Sequence, residues 1–359
     1  MDKLRVAFFG AAHPHVDAIM ETIVNNSEDF ELIGFAEVSF PPRDPFTYEE
    51  KHSAIVDTFG CPEYDDWKTL ASLNPDLAVV NSDNSAREEI CCYLLSMGIH
   101  VIDEKPMAMN YEAAKRMCEV AKENGVHMLT NWPIAWFPPF RLAKKLLDEG
   151  RIGKLMKVTY RSPATWGPFS YREFVKYPTE HFKDSWWYKA EYGGGSILDY
   201  ACYGAILTTW MFGKRAERVT GMTKQFVTTF SDVEDWSAML LDFGDGIGMI
   251  EGSWATYNSG EVPSGPILHG TEGTIVCERH STIVKVYEGK SHTPVPPTEV
   301  IDAGKMDQDT ALGKHLARVI RGEEEPVDML GEEVNLAVVA ALDAGARSAK
   351  TGKTIEIEK

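Results

Sequence analysis

From the amino end, short apolar runs alternate with segments whose apolar residues recur every three or four positions. Leu4-Arg5-Val6-Ala7-Phe8-Phe9 is almost wholly apolar, the pattern of a strand covered on both faces. A helical segment follows through Val24, and then a second strand, Glu31-Leu32-Ile33-Gly34-Phe35-Ala36-Glu37. Further strands are predicted at Asp76–Val80, Ile99–Ile102 and Val126–Leu129, with helices over Tyr48–Phe59, from about Ala86, and over Tyr111–Asn124. Tyr64–Leu73 reads as a short strand and helix. Strands alternating with amphipathic helices define a doubly wound parallel sheet, the Rossmann arrangement.

From Trp132 the pattern changes. Trp132-Pro133-Ile134-Ala135-Trp136-Phe137-Pro138-Pro139 cannot be a regular element and reads as a crossing between domains. A dinucleotide-binding domain is therefore placed at 1–130 and a substrate-binding and oligomerisation α+β domain at 131–359. A helix (Phe140–Glu149) and a strand from Lys157 open the second domain. Period-two segments at Ala216–Thr229, Trp236–Phe243, Ile247–Trp254, Ile267–His269, Thr274–Cys277 and Ile283–Val286 predict a large, mainly antiparallel open sheet. Helices over Asp309–Arg321 and Leu330–Lys350 and a short strand at Thr354–Ile357 follow. A sheet face carrying Leu240, Phe243 and Ile250 needs a cover, so a homodimer or homotetramer through this sheet is expected.

A length of 359 residues suits two domains, and 44% hydrophobic with 25% charged residues is ordinary globular composition. The formal charge of -18 disfavours nucleic acid and anionic membrane surfaces as partners. The first residues lack a signal-peptide pattern, and no apolar run reaches bilayer-spanning length. Six cysteines with no C-x-x-C pair fit neither a disulfide framework nor a zinc site, so reduced thiols in a cytoplasm are expected.

The candidate chemistry stands where strands end, because ligands of open parallel sheets bind outside the carboxyl ends of the strands. The first strand runs into Gly10-Ala11-Ala12-His13-Pro14-His15, the place of a G-x-G-x-x-G fingerprint that keeps only its first glycine. An alanine methyl at Ala12 still lets a pyrophosphate approach the amides of a helix N-terminus. Glu37 is placed to accept hydrogen bonds from ribose hydroxyls and to repel a 2′-phosphate, which favours NAD over NADP. Arg43 is the one nearby base that would favour NADP. Glu104-Lys105-Pro106 ends a later strand, with proline fixing the backbone; a solvated strand end is the plainer reading.

His13-x-His15 also fits the opening of a zinc hydrolase on a (β/α)₈ barrel. No further ligand is suitably placed at later strand ends, so no metal is expected. In the second half, Gly193-Gly194-Gly195 forms a turn that Ser196 is expected to cap, starting a helix through about Phe212. Asp199 and Tyr203, four residues apart, share a face of that helix as an acid–base pair or as part of an ordinary amphipathic stripe. The ring-dense stretch from Tyr160 to Tyr192 suits stacking on a sugar, a satellite core or a subunit contact.

Together these stretches resemble the glucose–fructose oxidoreductase / inositol dehydrogenase / rhizopine catabolism (Gfo/Idh/MocA) family over nearly the whole chain. The resemblance is carried by Glu104-Lys105-Pro106, Gly193-Gly194-Gly195-x-x-x-Asp199 and Gly270-Thr271-Glu272-Gly273, with Gly150-Arg151-Ile152-Gly153 and Ser348-Ala349-Lys350-Thr351-Gly352-Lys353 in support. It implies an NAD(P)-dependent oxidoreductase moving hydride between a nicotinamide and a hydroxyl or carbonyl of a sugar, inositol or related polyol. Lys105, Tyr203 and Asp199 are then the catalytic residues. Cofactor contacts fall to Gly10, Ala12, His13, His15, Glu37, Ser82, Asn84, Glu104 and Lys105, and the pocket wall to His181 and Trp187. Tyr203 stands where most members carry histidine; members resembling glucose–fructose oxidoreductase and the dimeric dihydrodiol dehydrogenases carry tyrosine there, and the resemblance points toward that branch. Arg87 replaces the histidine of a T-P-N-x-x-H stretch whose asparagine is kept as Asn84. Two other readings stay open: a non-catalytic NAD-binding regulator or sensor, and NAD-assisted glycoside cleavage on the same fold.

Overall fold

The computed structural model describes residues 2–38, 52, 54–163, 183–256, 264–278, 281–289, 293, 295–305 and 308–357. Two compact units divide the chain: Met1–Trp132, Pro178–Gly194 and Asp307–Leu336 in one, and Pro133–Tyr177, Gly195–Met306 and Ala337–Lys359 in the other.

The first unit is built on six strands, β1 (Leu4–Phe9), β2 (Phe30–Ala36), β3 (Glu63–Tyr64), β4 (Leu77–Val80), β5 (His100–Glu104) and β6 (Met128–Asn131). They lie in the order β3-β2-β1-β4-β5-β6, all parallel. This is the Rossmann order, in which the direction of winding reverses between β1 and β4. Phe9 pairs with both Ala36 and Val80, and Val80 with Asp103, so the loops after β1, β2, β4 and β5 leave the sheet along one edge. Residues 6–9 of β1 and all of β4 are buried, which is why these two strands read as nearly continuous apolar runs.

Helices α1 (Val16–Asn25), α2 (Trp67–Ala71), α3 (Arg87–Ser96) and α4 (Tyr111–Asn124) connect them. Asn110 caps α4 by accepting from the Ala113 N–H at 3.0 Å, and Gly125 ends it with a left-handed φ of 65°. The Val126 N–H bonds back to Ala121, so β6 begins at Met128, two residues later than the sequence pattern predicts. Of the helix expected over Tyr48–Phe59, residues 48–51 and 53 lie outside the described set, and Ala54–Thr58 is a single π-helical turn.

The second unit is a nine-stranded sheet of β7 (Leu155–Pro163), β8 (Arg218–Lys224), β9 (Trp236–Asp242), β10 (Ile247–Ser253), β11 (Ile267–Gly270), β12 (Gly273–Val276), β13 (Ile283–Glu288), β14 (Glu299–Asp302) and β15 (Ile355–Glu356). Their order is β14-β13-β12-β11-β7-β10-β9-β8-β15. Only β7 and β10 pair parallel; the other neighbours are antiparallel. Helices α5 (Pro138–Asp148) and α6 (Cys202–Phe212) belong to this unit. Later in the chain, α7 (Gln308–Ile320) joins the first unit, packing against α1, and α8 (Glu332–Thr351) runs from the first unit's last segment into the second's.

The strand expected over Ala216–Thr229 stops at Lys224. Asp235 accepts from the N–H groups of Phe226, Val227 and Thr228 at 2.6–2.8 Å, and Gln225 Nε2 donates to the Thr228, Ser231 and Val233 carbonyls. These bonds turn the backbone into a loop. Helix α6 covers one sheet face, and glycine at position 204 allows the approach: a Cβ there would stand 2.7 Å from Ile250 Cβ. Phe212 stacks on Phe243 at 4.3 Å between centroids. Ile250 and Phe243 are therefore buried under α6, and of the three residues expected on an open face only Leu240 is exposed. Met222, Ile247 and Met249 share that face with it. All six cysteines are free, and among the described residues no helix is long and apolar enough to cross a membrane.

Candidate functional site

The β1–α1 turn needs its one glycine. Gly10 has φ +86°, and a Cβ there would meet Val38 Cγ2 at 2.8 Å and the Asn81 carbonyl oxygen at 3.1 Å. Two residues on, the Ala12 N–H donates to the Asn81 carbonyl at 2.9 Å, tying the turn to the end of β4. Helix α1 starts directly after His15, so the positive end of its dipole lies at this strand edge. Asn81 is fully buried, yet neither atom of its side-chain amide has a hydrogen-bond partner among the described residues. A buried amide left open beside a helix head fits a ligand that carries both donors and acceptors, as a dinucleotide does. The sequence signal for it is the polar run Asn81-Ser82-Asp83-Asn84-Ser85 that follows the apolar β4.

Around this turn, Glu37 Oε1 accepts from the Val38 N–H at 2.9 Å, and Ser82 Oγ donates to the Asp83 carbonyl at 2.9 Å. Asn84 Nδ2 donates to the Gly193 carbonyl at 2.7 Å. Gly193 has φ +74°, and a Cβ there would stand 2.6 Å from Asn84 Cβ, so the first glycine of the triple turn is required by Asn84.

At the end of β5, Glu104 and Lys105 are almost completely buried, 1% and 2% exposed, and the Lys105–Pro106 peptide is cis. This is no solvated strand end. Glu104 Oε1 accepts from Asn131 Nδ2 at 2.6 Å; its Oε2 lies 3.0 Å from His15 Nδ1 and 3.5 Å from His13 Nδ1. Arg87, also buried, donates to the Pro106 carbonyl and, at 3.1 Å, to the Ser82 carbonyl, with Nε 3.8 Å from Asp103 Oδ2. It thus ties the loop after β4 to the turn after β5. Burial pushes the Asp103 carboxyl well above the usual range, and the Arg87 guanidinium opposes that rise.

Trp187, expected in the pocket wall, stacks on Trp186 at 3.8 Å and lies 5.1 Å from the His13 ring. Trp186 Nε1 donates to the Ala12 carbonyl at 3.2 Å. The pair therefore packs on the β1–α1 turn of the first unit. His181 and Arg43 lie outside the described residues, as do Trp166, Phe169, Tyr171, Phe174, Tyr177 and Phe182 of the ring-dense stretch.

In the second unit the helix after the glycines is not built as the sequence pattern predicts. Residues Ile197–Ala201 form a π-helical turn that passes into α6 at Cys202. Asp199 lies in the wider turn and Tyr203 in the α-helix, a junction often found at functional sites. Ser196 makes no side-chain cap; its Oγ is 3.2 Å from Ser237 Oγ. The cap comes from Glu234, whose Oε1 accepts from the Ile197 N–H at 2.9 Å and whose carbonyl accepts from the Ser196 N–H at 3.1 Å. Burial pushes the Glu234 carboxyl up to about 7. Asp199 Oδ2 accepts from Trp254 Nε1 at 2.9 Å. Both Asp199 and Tyr203 are buried.

Residues 4–131 match the model of an oxidoreductase family with an NAD-binding Rossmann fold, and residues 140–276 match the GFO/IDH/MocA C-terminal domain. The chain belongs to the GFO/IDH/MocA family of oxidoreductases. It is 25% identical over 291 residues to the 1,5-anhydro-D-fructose reductase of Ensifer adhaerens, covering 79% of this chain and 80% of that one. Identity to the scyllo-inositol 2-dehydrogenase (NAD(+)) of Bacillus subtilis is 23% over 277 residues, 73% and 72% of the two chains. The WlbA dehydrogenase of Bordetella pertussis, solved with NADH and UDP-GlcNAcA, shares the fold over 100% of both chains with a TM-score of 0.77 at 21% identity.

Proposed function

We propose that this protein is an NAD-dependent dehydrogenase or reductase that moves hydride between the cofactor and a hydroxyl or carbonyl of a sugar, cyclitol or related polyol. The observation that carries the reading is the convergence at one sheet edge of the Gly10 turn, the open Asn81 amide and the buried Glu104-Lys105 pair. That edge lies at the reversal of strand order, where dinucleotides bind.

In this reading residues 1–130 hold the dinucleotide and 131–359 the substrate. Gly10, Ala12, His13 and His15 line the pyrophosphate turn, Ser82, Asn84 and Glu104 its flank, and Glu37 takes the ribose hydroxyls and selects NAD. The bound nicotinamide supplies the hydride acceptor or donor. Tyr203 removes the proton of the substrate hydroxyl. A phenol ordinarily ionises near a pKa of about 10, so it needs a cation beside it to act as a base at neutral pH. Lys105 has that role, holding the substrate oxygen and favouring the phenolate. Asp199, steadied by Trp254, orients the polyol. Trp187 and His181 belong to the pocket wall.

The exposed row of Met222, Leu240, Ile247 and Met249 supports a homodimer or homotetramer through the open sheet face. Six free thiols suit a reducing cytoplasm.

A panel of sugars and cyclitols tests the function, screened with NAD by thermal shift and then by the ultraviolet absorbance of reduced nicotinamide. At least one substrate should give stoichiometric reduction. Release of an aryl leaving group without net reduction would replace this reading by redox-neutral glycoside cleavage. NAD binding with no turnover on any compound would replace it by a sensor.

A further inference from the structure

The zinc reading of His13-x-His15 failed in the sequence for want of another ligand, and the structure supplies one from a strand end 89 residues away from His15. One ring nitrogen of His13, one of His15 and a carboxylate oxygen of Glu104 all lie within 4.8 Å of one another. We propose that these three side chains form a binding site for a divalent first-row transition cation of the zinc class.

The spacing is that of donors around one ion. Two bonds of about 2.1 Å set between a right angle and the tetrahedral angle hold their donor atoms about 3.0–3.4 Å apart. Glu104 Oε2 lies 3.0 Å from His15 Nδ1 and 3.5 Å from His13 Nδ1. Two imidazoles and a carboxylate are a borderline donor set suited to zinc, cobalt or iron rather than to magnesium or calcium. Three protein ligands leave open positions for water or another oxygen ligand.

The His15 N–H lies 3.4 Å from His13 Nδ1, a long contact that a cation at that nitrogen displaces. The outer contacts also hold the ligands in place. Asn131 Nδ2 fixes the second carboxylate oxygen at 2.6 Å, and the Trp187 ring lies over His13 at 5.1 Å. Glu104 and His13 are both 1% exposed, so the ligands are pre-positioned in a low-dielectric setting.

The three side chains are ones assigned above to the dinucleotide turn, so the test is run without NAD and reads metal rather than turnover. The full-length protein, stripped with a chelator and dialysed, is titrated with Co²⁺ while its visible spectrum is followed, and Zn²⁺ is then used to displace the cobalt. One equivalent should bind with a dissociation constant in the micromolar range or below. Glu104→Gln and His15→Ala should each weaken it by at least about tenfold. Should either variant fail to fold, the unaltered protein still decides. Bound Zn²⁺ should protect His15, whose side chain is 28% exposed, from acylation by an imidazole reagent, as read by mass spectrometry. Absence of stoichiometric binding, undiminished binding by the folded variants, or equal labelling of His15 with and without Zn²⁺ would each overturn the proposal.

Discussion

At the scale of single residues, Lys105 and Tyr203 carry different parts of the proposed chemistry, so their loss should look different. Lys105→Met should cut kcat by about 10²–10⁴ while the dissociation constant for NAD, measured by calorimetry, changes little. Near-normal kcat in that variant would remove Lys105 from the mechanism. Tyr203→Phe should lose turnover on a similar scale with substrate binding largely kept, as expected for a proton carrier. Arg87 is a different case. It touches two backbone carbonyls and stands near a buried carboxyl, so Arg87→Leu should destabilise the fold by about 3–5 kcal/mol in denaturant titrations. Lys105 was legible in the sequence because charge and proline follow an apolar strand. The work of Arg87 was not, since its partners at Ser82 and Pro106 are fixed only by the pairing of β4 with β5.

At the scale of elements, the glycine turn and the helix after it show how local reading succeeds and fails. Three glycines mark a turn on sequence alone. That Glu234 rather than Ser196 supplies the cap was hidden, because the acceptor comes from 37 residues away. Gly195 has φ +106°, and a Cβ there would stand 2.6 Å from Glu234 Oε1, so Gly195→Ala should lower stability by about 1–3 kcal/mol through backbone strain. Glu234 also gives a pH signature. Its ordinary value is 4.5, the folded carboxyl keeps its proton to about 7, and folding therefore takes up a proton between those values. Its contribution to stability is present below 4.5, falls as pH rises toward 7 and then levels off. Glu234→Gln should flatten that part of the stability curve, compared by unfolding midpoints across the interval. A curve of unchanged slope would show that the carboxyl titrates normally.

For the whole molecule, alternation of strands and helices followed by period-two strands was enough to give both sheets, because burial on both faces or on one leaves distinct patterns. Which face of the second sheet stays open was not legible. Phe243 and Ile250 are as apolar as Leu240, and only the position of α6 decides that they are covered. Met249→Glu together with Leu240→Lys should shift light-scattering mass toward a smaller species if the open face joins subunits. The central claim is direct hydride transfer to NAD from a polyol carbon. A substrate from the panel, deuterated at the carbon that is oxidised, tests it most directly by magnetic resonance of the reduced cofactor. Deuterium should appear on the nicotinamide ring in one equivalent with a single facial preference; reduced cofactor carrying only protium at that carbon, or no reduced cofactor with any compound, would contradict it.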